Sequence, residues 1–373
     1  MSNDILDPED GVDDDIELQD ESTGDMIKPF NPNDIDIVVE PKSLDILIER
    51  MRYDGIDMDT DFQRHPDLWD NQKMSRLIES ILIRFPLPAF YFDASDVDKW
   101  LIVDGLQRLS SIRKFVIDKK LHLTNLEFMT DLQGKSYKTL PSNLQRRIRE
   151  CPITVYLIKP STPDAVKQSI FRRINTGGLV LNNQEIRNAM AKPEDRELLQ
   201  QAAQHELMVV MMSDLSRRMR DQELILRFWA FYQFDYFEPG NKKVFSAFLD
   251  KAMNDIKSWN NDSREAFKHI FDMAISRCFE LLGEMAFQKD IKSATKRLKN
   301  RSLFEVWMVT LAKLEESDFN ELLSAKYRFR EAAQKLLVDE AFYKSISHST
   351  QTSEHVRIRY QKVKHLIRSF NHA

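Results

Sequence analysis

Asp104, Gly105, Gln107 and Arg108 stand within one five-residue stretch, and side chains of these types can together hold and act on a phosphate. An arginine offers a two-pronged fork to phosphate oxygens. An aspartate holds a metal ion or orients a water, and a glycine lets the backbone turn sharply and come close to a ligand. The plainer alternative is a strand-to-helix turn in which Asp104 caps the helix and Arg108 pairs with a surface carboxylate. The residue types alone leave both open.

The elements that must position these residues are legible around them. Trp100 and the apolar run Leu101 to Val103 read as a buried strand. Leu109, Ile112, Phe115 and Val116 then recur at helical spacing. The polar residues therefore fall at a helix N-terminus, where unpaired backbone N–H groups suit an anion. Upstream, Ile35 to Val39 is a short strand, and Ser43 opens a helix through Leu44, Ile46, Leu47 and Met51. Asp54 to Asp61 is a polar loop that delivers Gln63 and Arg64. A helix spans Asn71 to Arg84, with Met74, Leu77, Ile78, Ile81 and Leu82 on one face, and Pro86 and Pro88 end it. Ala89 to Phe92 and Trp100 to Val103 form a hairpin. Downstream, Ile153 to Ile158 is a strand. Thr162-Pro163-Asp164 opens a helix that carries Phe171 and Asn175 on one face. Asn182 and Glu185 have the spacing of a capping box.

Four of these blocks carry a resemblance. Val103-Asp104-Gly105-Leu106-Gln107-Arg108-Leu109 resembles the DGQQR motif of the GmrSD-type restriction-endonuclease N-terminal domain family. The family's first glutamine is Leu106 here. Phe62-Gln63-Arg64 with Trp69 resembles its upstream Q-R…W block, and Leu77 to Pro88 resembles its helix leading into a P-x-P strand entry. Ile170 to Gly178, containing Phe171-Arg172-Arg173-Ile174-Asn175, resembles its F-x-x-x-N motif. The resemblance implies an α+β chain. A ParB/sulfiredoxin-like N-terminal domain with a small mixed sheet would span residues 28–190, and an all-α domain residues 191–373. It implies a nucleoside triphosphate, with Mg²⁺, bound and hydrolysed in a prokaryotic or phage-linked restriction or defence system. Asp104, Gln107 and Arg108 would be catalytic, with Asp104 also the metal ligand. Gln63, Arg64, Gly105, Arg108, Phe171, Arg172 and Asn175 would hold the nucleotide. Two other readings stay open: a non-catalytic DNA-binding module, and a metal-dependent DNA nuclease using the same motif.

Composition sets the frame. A chain of 373 residues, 42% hydrophobic and 30% charged, is expected to fold as two domains. Residues 1–25 hold eleven Asp or Glu and no Lys or Arg. Residues 26–373 are left with 54 basic and 48 acidic side chains, a net of +6. The acidic segment, residues 1–27, is expected to be solvated and disordered. Two distant cysteines, Cys151 and Cys278, and the lack of a signal-peptide pattern or a long apolar run point to the cytoplasm and away from a membrane. No P-loop or HNH-like pattern is present.

The remaining residues, from about Ala191, read as helices. Asp221 to Phe237 carries a dense aromatic stripe, expected to be core. Two basic clusters make a DNA phosphate surface plausible: Lys289, Lys292, Lys296, Arg297, Lys299 and Arg301, and then Arg357, Arg359, Lys362, Lys364 and Arg368. DNA is the expected partner; a partner effector protein and an oligomer stay open.

Overall fold

The computed structural model describes residues 34–58, 69–174, 182–212, 217–238, 245–290 and 298–371. Of these, residues 34–190 form one compact unit and residues 191–371 another. The acidic segment lies outside the described residues.

The first unit is α+β. Its strands are β1 (Ile37–Ser43), β2 (Ile56–Asp57), β3 (Phe90–Asp93), β4 (Trp100–Asp104) and β5 (Pro152–Ile158). They form one mixed sheet in the order β1-β5-β3-β4-β2. β3 and β4 are the expected antiparallel hairpin, β1 runs antiparallel to β5, and β3 and β2 run parallel to β5 and β4 respectively. β2 arises within the stretch expected to be a polar loop, because Ile56 can bury its side chain against β4.

One face of the sheet carries Phe90, Phe92, Ile102, Val155 and Leu157. It packs on α1 (Leu44–Arg52), α2 (Asn71–Leu82) and α3 (Leu106–Ile112), with α4 (Ser142–Arg149) against α1 and α2. α2 starts at Asp70, whose side chain accepts the Lys73 N–H at 2.7 Å. On the other face lies α5 (Asp164–Ile174), which contacts β4. Lys167 of α5 is buried against the end of β3, 3.4 Å from Asp93 and donating to Ser95 Oγ. Thr162, expected to cap α5, turns its hydroxyl to the backbone of Asp36 instead. The expected capping box does form at α6 (Asn183–Ala189). Asn182 Oδ1 accepts the Glu185 N–H at 2.9 Å, and Glu185 Oε2 accepts the Asn182 N–H at 2.6 Å.

The second unit is helical: α7 (Pro193–Ala203), α8 (Glu206–Met212), α9 (Arg220–Gln233), α10 (Phe245–Ile256), α11 (Asn261–Leu282), α12 (Arg301–Ala312), α13 (Glu316–Ser324), α14 (Lys326–Leu337), α15 (Glu340–Ser347) and α16 (Ser353–Asn371). α13 and α14 are separated by a break at Ala325. α9 and α12 are buried along most of their lengths, and α11, α10 and α16 pack around them. An ionic group sits in this core. Both oxygens of Glu305 accept from Arg359, through Nε and Nη2 at 2.8–3.1 Å, and Arg227 Nε stands 3.8 Å from Oε2. Among the described residues, no helix is long and apolar enough to cross a membrane.

Candidate functional site

A β-bulge sets the direction of Asp104. Phe92 pairs with Ile102, but Tyr91 pairs with Asp104, so Val103 is an extra residue on β4. Strict alternation would put Asp104 on the same face as Ile102, toward the core. The extra residue moves it opposite Tyr91, on the other face. Bulges beside functional sites re-aim a side chain in this way.

Gly105 then makes the turn into α3 with φ +108°, in the left-handed region where glycine is favoured. The space is equally strict, because a Cβ there would stand 2.6 Å from Phe90 Cδ1. The ring of Phe90 therefore closes directly on the turn.

Arg108, one turn into α3, is only 8% exposed. Its Nη1 donates to the Pro88 carbonyl. Its Nη2 donates to the Ala89 carbonyl at 3.1 Å and to Asp104 Oδ2 at 2.8 Å, and the guanidinium lies over the Phe90 ring at 4.5 Å. Burial pulls its pKa below the usual arginine value, and Asp104 opposes that pull. Arg108 thus ties together the P-x-P entry of β3, the glycine turn and the aspartate. In this arrangement it fixes the site, and its fork is occupied by protein oxygens.

Two groups at the turn remain open for chemistry. Among the described residues Asp104 bonds through Oδ2 alone, and its side chain is about one-third exposed at 37%. Gln107 is the other. Both its Oε1 and its Nε2 are buried without a hydrogen-bond partner among the described residues. An amide left so forgoes bonds that water would supply, at a cost of roughly 1–3 kcal/mol per group.

The sheet adds two residues that sequence reasoning missed. Tyr91 and Tyr156 stack at 4.5 Å, half-buried, in the register row that ends at Asp104. Burial raises the pKa of Tyr91, and Tyr156 and Asp104 push it further up. Period-two alternation in Phe90-Tyr91-Phe92 separates Tyr91 from the core, but only the bulge brings Asp104 opposite it.

The other expected residues fall in several places. Phe171 is fully buried on α5, which makes it a packed side chain and not an open wall. Arg172 follows it in the last turn of that helix. Gln63, Arg64 and Asn175 lie outside the described residues, as do Lys292, Lys296 and Arg297. Lys299 and Arg301 do not form the expected phosphate surface: they are 2% and 6% exposed. Lys299 bridges Gln288 in a short antiparallel pair, and Arg301 lies 3.8 Å from Glu223. Asn300 between them caps α12, so the segment is a buried junction. In the second cluster Arg359 is the core partner of Glu305, and Lys362 pairs with Asp339 at 2.8 Å.

Among the described residues, no three His, Cys, Asp or Glu side chains are grouped to hold a metal ion. One carboxylate with an open oxygen suits Mg²⁺ that arrives on phosphates, since that ion keeps waters and takes one or two protein carboxylates.

No curated protein and no solved structure matches the chain. Residues 47–192, which contain the bulged strand, the glycine turn, Arg108 and the capping box of α6, match the family model of the GmrSD restriction endonuclease, N-terminal domain.

Proposed function

We propose that this protein is a component of a DNA restriction system whose first unit, of ParB/sulfiredoxin-like fold, binds a nucleoside triphosphate with Mg²⁺ at the Asp104–Arg108 turn and hydrolyses it. The restriction context rests on the family match over residues 47–192. The nucleotide reading rests on Gln107, whose buried amide has no hydrogen-bond partner among the described residues. Buried polar groups are almost always bonded, and an exception asks for a ligand or an ordered water.

The roles follow from the geometry. Asp104 offers its open oxygen to the Mg²⁺ on the phosphates or to the attacking water. Gln107 accepts from that water and donates to a phosphoryl oxygen, which stabilises charge as it develops. Arg108 is a positioning residue: it holds Asp104 and supplies a fixed positive charge behind it. Tyr91 and Tyr156 give a flat wall beside the aspartate.

The test is phosphate release from each of the four nucleoside triphosphates with Mg²⁺, with and without DNA. Turnover in the parent that falls at least about a hundredfold in Gln107→Ala and Asp104→Asn is the expected result. Absence of turnover with every nucleotide, and of any nucleotide-induced rise in melting temperature, would overturn the proposal. One observation favours a second reading, a non-catalytic DNA-binding module. Leu106, at the family's first glutamine, is buried in the core, so that position offers no polar group. DNA binding without turnover would select it.

A further inference from the structure

The aromatic stripe expected to be core does not end in the core. Leu224 to Phe231 are buried on α9, but beyond the end of the helix at Gln233 the chain turns, and Phe234, Tyr236 and Phe237 line a cavity of about 720 Å³ within the helical unit. That volume suits a small-molecule ligand. Tyr360 of α16 closes the floor and stacks on Phe231 at 5.6 Å.

Cations lie over rings at and beside the cavity: Lys313, on its lining, stands 5.3 Å over Tyr232, and Lys251 and Arg357, outside the lining, stand over Phe234 at 4.4 Å and Phe237 at 5.3 Å. Arg357, Lys364 and Arg368 share one face of α16, and Lys313, Lys364 and Arg368 border the cavity. None of those three bordering cations makes an ion pair among the described residues. Burial, and then Lys364, lower the pKa of Lys313, so the two cations crowd one another. Two carboxylates also border the cavity. Asp235 accepts the Phe237 N–H at 2.8 Å and holds the turn, and Asp318 stands at the start of α13. On the floor, the Tyr236 hydroxyl donates to the Gln351 carbonyl at 2.6 Å, and the Tyr360 hydroxyl is buried toward Glu305.

We infer that this cavity is a nucleotide-binding site, taking a base among its rings and the attached phosphate on Lys313, Lys364 and Arg368. Rings interleaved with cations are how single strands are held, because every base has a face to stack and every nucleotide a charge to neutralise. The nucleotide could be free or part of a single DNA strand. The site belongs to the second unit and the Asp104 turn to the first, and it is tested without triphosphate or Mg²⁺.

The experiment uses the full chain with a labelled twelve-residue oligothymidylate in an anisotropy titration and with thymidine monophosphate by calorimetry. The oligonucleotide is expected to bind with an affinity that falls with salt. Lys364→Glu/Arg368→Glu should weaken it at least tenfold and flatten the log–log salt slope by about 1.4, two phosphate contacts on a single strand. Phe234→Ala should cost about tenfold, with an unchanged melting temperature. Competition by thymidine monophosphate would support a site that also takes a free nucleotide, and its absence a site that needs the strand. If neither ligand binds at millimolar concentration, or if the double variant and Phe234→Ala bind as the parent does, the inference is overturned.

Discussion

Gly105 and Gln107, two residues apart, set opposite demands on the same turn. Gly105 is required by conformation and by space: φ is +108° and Phe90 stands against the missing side chain. Gly105→Ala should therefore destabilise the first unit by about 2–3 kcal/mol, read as a lowered denaturation midpoint. Gly134→Ala is the control. Its φ is +76° but nothing lies within 4 Å, so only the backbone cost of about 1 kcal/mol applies. Equal losses at the two positions would show that Phe90 does not press on the turn. Gln107 behaves in the reverse way. Its buried amide has no partner, so Gln107→Leu should be neutral or stabilising by about 1 kcal/mol in the ligand-free protein. The same substitution should abolish any rise in melting temperature on adding nucleotide. A large loss of stability without ligand would mean that the amide is structural.

At the scale of elements, the frame around the turn depends on a buried carboxylate. Glu79 of α2 accepts the backbone N–H groups of Glu127, Phe128 and Met129 at 2.7–3.0 Å, which ties the segment after the motif helix to α2. Burial alone would push its carboxyl up, but those three bonds and the nearby Arg76 hold it below the ordinary 4.5. A lowered folded value contributes stability that is present above the unfolded value near 4.5 and is lost as pH falls through the folded one. Glu79→Ala should cost about 3 kcal/mol at pH 7, because three N–H groups lose their acceptor, and the difference from the parent should shrink at pH 3. Urea midpoints at the two pH values check this, and an equal difference at both would refute it. This tie was not legible in the sequence, since a glutamate on a helix reads as solvated. What was legible was local: the α2 stripe, the hairpin, the strand at Ile153 to Ile158 and the capping box at Asn182 each follow from spacing of a few residues. The bulge at Val103 was hidden because one extra residue leaves no mark on composition. The burial of Arg301 was hidden because its companion, Glu223, is distant in the chain, and that of Lys299 because a short bridge to Gln288 has no sequence pattern of its own.

At the scale of the molecule, each unit has a separate hydrophobic core, and the second places its ionic group at the centre. Arg227, Glu305 and Arg359 are each at most 1% exposed. Arg359 is well satisfied, with Nη1 also donating to the Thr350 carbonyl at 2.6 Å. Arg227 is not: its Nε and Nη1 lack hydrogen bonds, and its charge is offset by Glu305 nearby and by the Phe245 ring at 4.6 Å. Such a group favours the folded state only while complete, because removing one charge strands the others away from water. Glu305→Gln leaves two buried guanidiniums facing a neutral amide and should cost about 3–5 kcal/mol, lowering the melting temperature of the helical unit by roughly 10 °C. Tyr236 lies against the same group, with its pKa pushed up to about 12 by burial and then by Glu305. The variant should therefore also weaken oligonucleotide binding at the cavity that Tyr236 lines. Two separate cores imply two calorimetric transitions, of which Glu305→Gln moves one and Gly105→Ala the other. A single transition displaced by either variant would show that the two units unfold together. The ionic group would then stabilise the whole chain, the Asp104 turn included.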